Sequence, residues 1–338
     1  EKRPHPIIVQ CGALALAAAG GSWAMLDYRS RYRKCEHRVR EFPSAETAAP
    51  TADQYPERMG MSSAAPLVSV VIPAYNNAKT IAETMTSVLD QDGVEFELIV
   101  ADHSSSDGTR AEMERFGDDP RVHLTETPAG GGAPRNWNRV TELARGDLIK
   151  LVCGDDILRV GTLARQAALL NDPKAVLTAC RRDIVDANGR TLMAGWGLRG
   201  IQRRMPGALA VRAAVRAGSN LFGEPASVMM RRSALREVGG WFGDFPYLID
   251  QATYSQVLLA GDFVPDTEVG ATFRMSASQW SVALTKAQSA QARGFHHWMR
   301  QHHPEVLSPL DLAIGDSRAW AMARARRVSY KILERRMR

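Results

Sequence analysis

Three polar runs, each closing an apolar one, hold the residues best equipped for chemistry. AYNN (74–77) follows LVSVVIP (67–73), DHSSSDGT (102–109) closes FELIVAD (96–102), and CGDD (153–156) closes DLIKLVC (147–153). Asp155 and Asp156 are adjacent carboxylates that repel each other, a cost that a bound divalent cation offsets. Asp107, followed by Gly108, reads instead as a turn or helix-cap residue. The run Gly130, Gly131 and Gly132 lacks the GxGxxG and GxxxxGK spacings of phosphate-cradling loops. It reads as a loop before a helix, with Arg135 or Arg139 as a candidate for a diphosphate. His296, His297, His302 and His303 read as surface histidines. The four cysteines are far apart and lack CxxC spacing, which argues against a zinc site or disulfide framework and for a reducing compartment.

The elements that must position these residues alternate. LVSVVIP and FELIVAD are β-branched runs of buried-strand length, and RVHLTE (121–126), DLIKLVC and AVLTAC (175–180) continue the series. Between them, AKTIAETMTSVLDQ (78–91) shows helical apolar spacing, and helices are expected after Asp107 and from about Pro134. Strands alternating with helices predict parallel βαβ units, whose ligand crevice lies beyond the strand carboxyl ends. That edge would gather Asp102, Asp107, Asp155 and Asp156.

Over about Leu67 to Ser281 the chain resembles the family 2 glycosyltransferases of bacterial type. The resemblance rests on VSVVIPAYNN, ELIVADHSSSDGT, RNWNRVTELARGDLIKLVCGDD, NLFGEPASVMMRRSALREVGGW and LIDQATYSQVLLAG, in the family's order. It implies an α/β fold of GT-A (Rossmann-like) type: a mixed, mostly parallel sheet flanked by helices, with a helical C-terminal extension. It also implies an inverting, metal-dependent transferase of hexosyltransferase type in cell-envelope polysaccharide synthesis. The donor would be a nucleotide sugar and the acceptor a saccharide or a lipid-linked saccharide.

Residue by residue, the resemblance aligns Pro73, Ala74 and Tyr75 with the loop along the nucleotide, and Asp102 with the carboxylate that contacts its base. Asp155 matches the last carboxylate of the DxD motif, which coordinates Mg²⁺ or Mn²⁺ on the donor diphosphate, with Asp156 as a second candidate ligand. Asp250 matches the catalytic base, while its bare sequence context equally suits a helix cap. Glu224, Pro225 and Ala226 match a GEP-type acceptor loop. Three positions depart from the pattern: Cys153 replaces the first Asp of DxD, His103 the second Asp of DDGS, and Ser276 a His that commonly follows the FR pair. A catalytically impaired nucleotide-sugar-binding module is therefore a rival reading. A nucleotidyltransferase is a weaker one, since VIPAYNN lacks that class's Gly-rich basic signature.

The chain has 338 residues with 45% hydrophobic and 24% charged, the composition of a folded protein. Its net charge of +6 is unevenly spread. Residues 27–40 carry six basic and two acidic side chains, residues 318–338 carry eight and one, and the remainder is net −5. An acidic body argues against nucleic acid as a partner. The basic tails suit peripheral membrane contact, through a terminal amphipathic helix with Ala321, Ala325, Val328 and Ile332 at helical spacing, and the same pattern equally reads as a solvated terminal helix. Residues 1–60 read as an apolar and basic leader with linker: a single anchor, a signal peptide, or a segment outside the mature protein. The expected divisions are 1–60, a GT-A domain over 65–281 and a helical basic extension over 282–338, in the cytoplasm or at the inner face of the cell membrane.

Overall fold

Mostly apolar, β-branched runs become the parallel half of the sheet. The computed structural model describes residues 68–275 and 287–337. The leader 1–60, Ser276, and the side chains of Val328 and Ile332 lie outside the described residues. Strand β1 (Val68–Ala74) pairs in parallel with β2 (Phe96–Asp102), and β2 with β3 (Val122–Glu126). On its other side β1 pairs in parallel with β4 (Leu148–Leu151). The chain thus winds outward from β1 and then reverses, which makes the β1/β4 junction a topological switch point where the crevice opens.

Alternate side chains of these strands enter two different cores. Val68, Val70, Ile72, Leu98 and Val100 pack under helices α1 (Ile81–Leu89) and α2 (Thr109–Glu114). Val71, Ile99, Ala101, Ile149 and Leu151 face the other layer, which includes α3 (Gly132–Glu142). Burial on both faces explains why the strands are continuously apolar and do not alternate.

Beyond β4 the sheet changes character. A short β5 (Ile157–Leu158), helix α4 (Thr162–Leu169) and β6 (Ala175–Asp186) come next, and β6 turns back into β7 (Thr191–Trp196). A two-residue β8 (Met205–Pro206) leads into α5 (Gly207–Ala217). After a 3₁₀ turn at Pro225–Ser227, β9 (Val228–Arg231) inserts antiparallel between β4 and β6. Helices α6 (Arg232–Glu237) and α7 (Ile249–Leu258) then precede β10 (Asp262–Met275), which runs parallel to β6. The ten-stranded sheet has the order β3-β2-β1-β4-β9-β6-β10-β5, with β7 on β6 and β8 on β10.

Strand direction assembles the site. Because β9 is antiparallel to its neighbours, it begins at the edge where β1, β2, β4, β6 and β10 end. Glu224, just before the 3₁₀ turn, therefore joins Asp102, Asp155, Arg182 and Arg274 at one edge.

The C-terminal helices α8 (Gln288–His302) and α9 (Pro309–Met337) close the far side. Asp311, at the start of α9, is fully buried against Arg212 (3.0 Å) and Arg216 (2.6 Å) of α5. One surface-histidine expectation is corrected here. His296 is buried, with Nδ1 at 2.9 Å from Asp316 Oδ1, because its position on α8 faces α9 and not water. Exposed His297 meets the other oxygen of the same carboxylate at 3.0 Å. The strand expected over 175–180 also runs on to Asp186. Among the described residues no helix is long and apolar enough to cross a membrane.

Candidate active site

The β1 loop and the CGDD turn interlock. Pro73 and Ala74 are buried at the end of β1, whereas Tyr75 turns outward and is 58% exposed. Asn77 Oδ1 accepts the Tyr75 N–H at 2.8 Å and packs so tightly on Gly154 that a Cβ there would lie 2.6 Å from it. Only glycine fits at that position. Thr80 Oγ1 adds a hydrogen bond to the Gly154 carbonyl at 2.8 Å. Asp102, 6% exposed, accepts only long contacts from the Ser105 N–H, at 3.3 and 3.4 Å, so acceptor capacity remains. His103, the departure from the DDGS run, lies 2.9 Å from the Gly130 carbonyl and sets its ring 5.9 Å from that of Tyr75. Arg135 is exposed near the start of α3 and donates to the Ala129 carbonyl at 3.0 Å. Asp107 receives the Ala78 N–H and the Thr109 N–H and hydroxyl, the turn role expected of it.

The carboxylate pair has two unlike members. Asp155 is half-buried. Asp156 is fully buried, and its Oδ1 accepts the Arg274 N–H at 3.2 Å. Its Oδ2 has no hydrogen-bond partner among the described residues. Burial, reinforced by the neighbouring Asp155 charge, holds the Asp156 carboxyl well above the usual range. Arg274 steadies the turn by donating to the Asp155 carbonyl at 3.2 Å while pairing with Glu83 at 2.7 Å.

Among the described residues no cluster of three His, Cys, Asp or Glu side chains could hold a metal. Two adjacent carboxylates with one orphaned oxygen still suit a hard cation that takes its remaining ligands from a diphosphate and water. Cys153 is half-buried. Burial and the charges of Asp156, Asp155, Asp250 and Glu224 push its thiol far up, so it stays neutral and is a poor metal ligand.

Asp250 is the second residue of α7. It keeps some solvent contact but sits in a crevice whose walls desolvate it. That burial, with the nearby Glu224 charge, raises its pKa to about 7, against hydrogen bonds that favour the charged form. Those bonds come from the Gln251 N–H to Oδ1 (2.7 Å) and from Asn220 Nδ2 to Oδ2 (2.8 Å). Asn220 Nδ2 also donates to the Gly223 carbonyl, while its Oδ1 accepts the Phe222 and Gly223 N–H groups. One side chain therefore fixes both the carboxylate and the loop that carries Glu224 and Pro225. Glu224 pairs with Arg182 through two contacts, one of them Nη2 to Oε1 at 3.0 Å.

Asn220 and Arg182 were not among the sequence candidates. For Arg182 the sequence pointed the other way, since a pair of arginines after AVLTAC reads as the end of a strand; its partner Glu224 lies 42 residues on. For Asn220 the signal was its place at the head of the NLFGEP motif, four residues before Glu224.

Residues 69–239 match the family model described as glycosyl transferase family 2. The chain belongs to that family. It is a glycosyltransferase with the mixed, helix-flanked GT-A sheet. An uncharacterized protein of Mycobacterium tuberculosis is 35% identical over 61% of this chain and 67% of its own length. The Escherichia coli UDP-Glc:α-D-GlcNAc-diphosphoundecaprenol β-1,3-glucosyltransferase WfgD is 35% identical over 31% of this chain. The match covers 41% of that enzyme, so the glycosyltransferase spans less than half of it. A Pyrobaculum calidifontis mannosyltransferase structure, in complex with GDP-Man and Mn²⁺, has a TM-score of 0.51 at 18% identity, covering 80% of this chain and 81% of that one. At that identity the likeness is one of fold.

Proposed function

We propose that this glycosyltransferase moves a sugar from a nucleotide-sugar donor to a saccharide or lipid-linked saccharide, with inversion, during cell-envelope polysaccharide assembly. The observation that carries this reading is Asp250: a carboxylate with pKa about 7, oriented by Asn220 and next to the acceptor loop of Glu224. A base poised near neutral pH accepts a hydroxyl proton in the transition state, a contribution of about 10²–10⁴-fold. Asp250 takes the acceptor's proton while the acceptor oxygen bonds to the anomeric carbon. The bond from that carbon to the nucleoside diphosphate breaks at the same time. A single base on the acceptor face gives direct displacement and inversion.

Tyr75, Pro73, Ala74 and Asp102 would bind the nucleotide, with Arg135 near the diphosphate. Asp155 and Asp156 would hold a divalent cation (Mg²⁺ or Mn²⁺), which when bound supplies Lewis-acid stabilisation of the departing diphosphate. The Mn²⁺ and GDP-Man of the Pyrobaculum structure and the UDP-sugar donor in the E. coli enzyme's name support the reading. The lipid-diphosphate acceptor in that name supports work at the cytoplasmic face of a membrane, where the basic tails would lie. A neutral Cys153 favours the second reading, a nucleotide-sugar-binding module without turnover.

A panel of nucleotide sugars with Mn²⁺ and saccharide acceptors, read out by nucleoside diphosphate release, separates the two. Turnover lost in Asp250→Asn with donor binding kept is the expected result. An active Asp250→Asn enzyme rules out the base assignment, and binding without turnover across the panel favours the module.

A further inference from the structure

The segment Gly195–Gly200 (GWGLRG), at the end of β7, lies outside every motif discussed above. Trp196 is the cross-strand partner of Arg182, so the two side chains leave the sheet on the same face. Arg182 Nη1 donates to the Trp196 carbonyl at 3.4 Å, while the same guanidinium holds Glu224. The Leu198 N–H donates to the Leu221 carbonyl at 3.2 Å, tying the segment to the loop in which Asn220 orients Asp250. Close packing enforces the path: Gly197 has φ +123°, and a Cβ there would lie 2.6 Å from Arg182 Nη1. Leu198 is buried with φ +52°, a conformation costly for a branched side chain.

This rigid mount presents one group. The Arg199 guanidinium lies over the Trp196 ring, 3.9 Å from its centroid, and the residue is exposed. It makes no ion pair among the described residues. A guanidinium seated over an indole face can keep N–H groups free for hydrogen bonding, and its fork suits phosphate oxygens bidentately. The stacking also lowers the entropy lost when an anion binds.

We propose that Arg199, braced on Trp196, is an anion subsite of the acceptor pocket that takes a phosphate of the acceptor while its sugar hydroxyl reaches Asp250. This rests on the glycosyl-transfer reading, and it names the acceptor class as a saccharide joined to a phosphate or diphosphate.

The test is calorimetric titration of the full chain with three probes. They are N-acetylglucosamine joined through diphosphate to a prenyl chain, the same head group on a hexyl chain, and the uncharged hexyl glycoside. Affinity for both diphosphate probes is expected to exceed that for the uncharged one. In Arg199→Ala that preference should fall about tenfold, the loss of one charge-assisted contact. Arg199→Lys should restore part of it, and Trp196→Leu should mimic the alanine. An unchanged preference in Arg199→Ala overturns the proposal. So does an equal loss for all three probes and for UDP, which would mark a structural role, and so does an effect confined to the prenyl probe, which would mark lipid recognition. Absent turnover with an Arg199-dependent preference would count against glycosyl transfer alone. Turnover with an indifferent Arg199 would count against this subsite alone.

Discussion

If Asn220 sets the protonation of Asp250, removing its amide should move the pH profile of transfer upward. Asn220 Nδ2 donates to Asp250 Oδ2 at 2.8 Å, and this contact favours the charged carboxylate. A hydrogen bond to a charged group is worth about 1.5–3 kcal/mol, and one pKa unit corresponds to about 1.4 kcal/mol. The range is therefore about one to two units, and the solvent contact of Asp250 selects its lower end. Asn220→Ala should shift the ascending limb of kcat/KM from about 7 to roughly one unit higher. At pH 7 the ionised fraction then falls from one half to about a tenth, so kcat/KM drops roughly fivefold through protonation alone. Asn220→Asp, which keeps the acceptor for the Phe222 and Gly223 N–H groups but adds a negative charge, should shift the limb further in the same direction. The assay is nucleoside diphosphate release from pH 5.5 to 9, with melting temperature followed in parallel. An Asn220→Ala limb that stays put or moves down, in a protein that melts like the parent, refutes the reasoning.

Asp250 also carries a stability signature. Its folded pKa of about 7 lies above the ordinary value near 4, so the native state retains a proton that the unfolded chain has released, and stability falls as pH rises between those values. Ligand-free Asp250→Asn should therefore melt higher than the parent at pH 8, by about 2 °C or more, with the gap closing towards pH 4 in a fluorimetric scan. An equal gap at both pH values would contradict the raised pKa. Asp155→Ala should abolish the Mn²⁺-dependent part of UDP or GDP binding in calorimetry, whereas metal-enhanced binding in the variant would remove Asp155 from the cation site. Asp311, buried against Arg212 and Arg216, has its pKa held low by hydrogen bonds from Ser308 and the two arginines that outweigh burial. Its contribution is present above the ordinary carboxylate pKa and lost as pH falls below about 4. Asp311→Ala should cost about 2–3 kcal/mol in urea unfolding at pH 7, less than a wholly buried pair because both arginines face solvent. A loss under 1 kcal/mol would show that α9 does not depend on this anchor.

The parallel half of the sheet was legible because burial on both faces leaves a strong mark. Up to the closing Asp102, Val68–Ala74 and Phe96–Asp102 are apolar but for Ser69 and Glu97, which bond to each other inside the fold at 2.6 Å, and their polar successors stand out as the loops of a crevice. The end of β6 was not legible. Arg181 and Arg182 look like the exit from a strand, and only Glu224, 42 residues on, makes Arg182 tolerable inside one. The antiparallel insertion of β9 was equally hidden, since strand direction is set by partners far along the chain. His296 failed for a related reason: periodicity says which residues share a helix face, and the packed neighbour decides which face is dry.

By itself the sequence determined the kind of fold, the order of its elements and the positions where carboxylates follow strands, because these depend on local patterns of apolar and polar residues. The tertiary structure decided what those carboxylates do. Desolvation separates a buried Asp156, whose carboxyl is pushed well up, from a half-buried Asp155 and lifts Asp250 to about 7. Those differences arise from atoms that meet only when β4, β9 and β6 lie side by side, with Asn220 and Arg182 supplying contacts across 30 and 42 residues of chain.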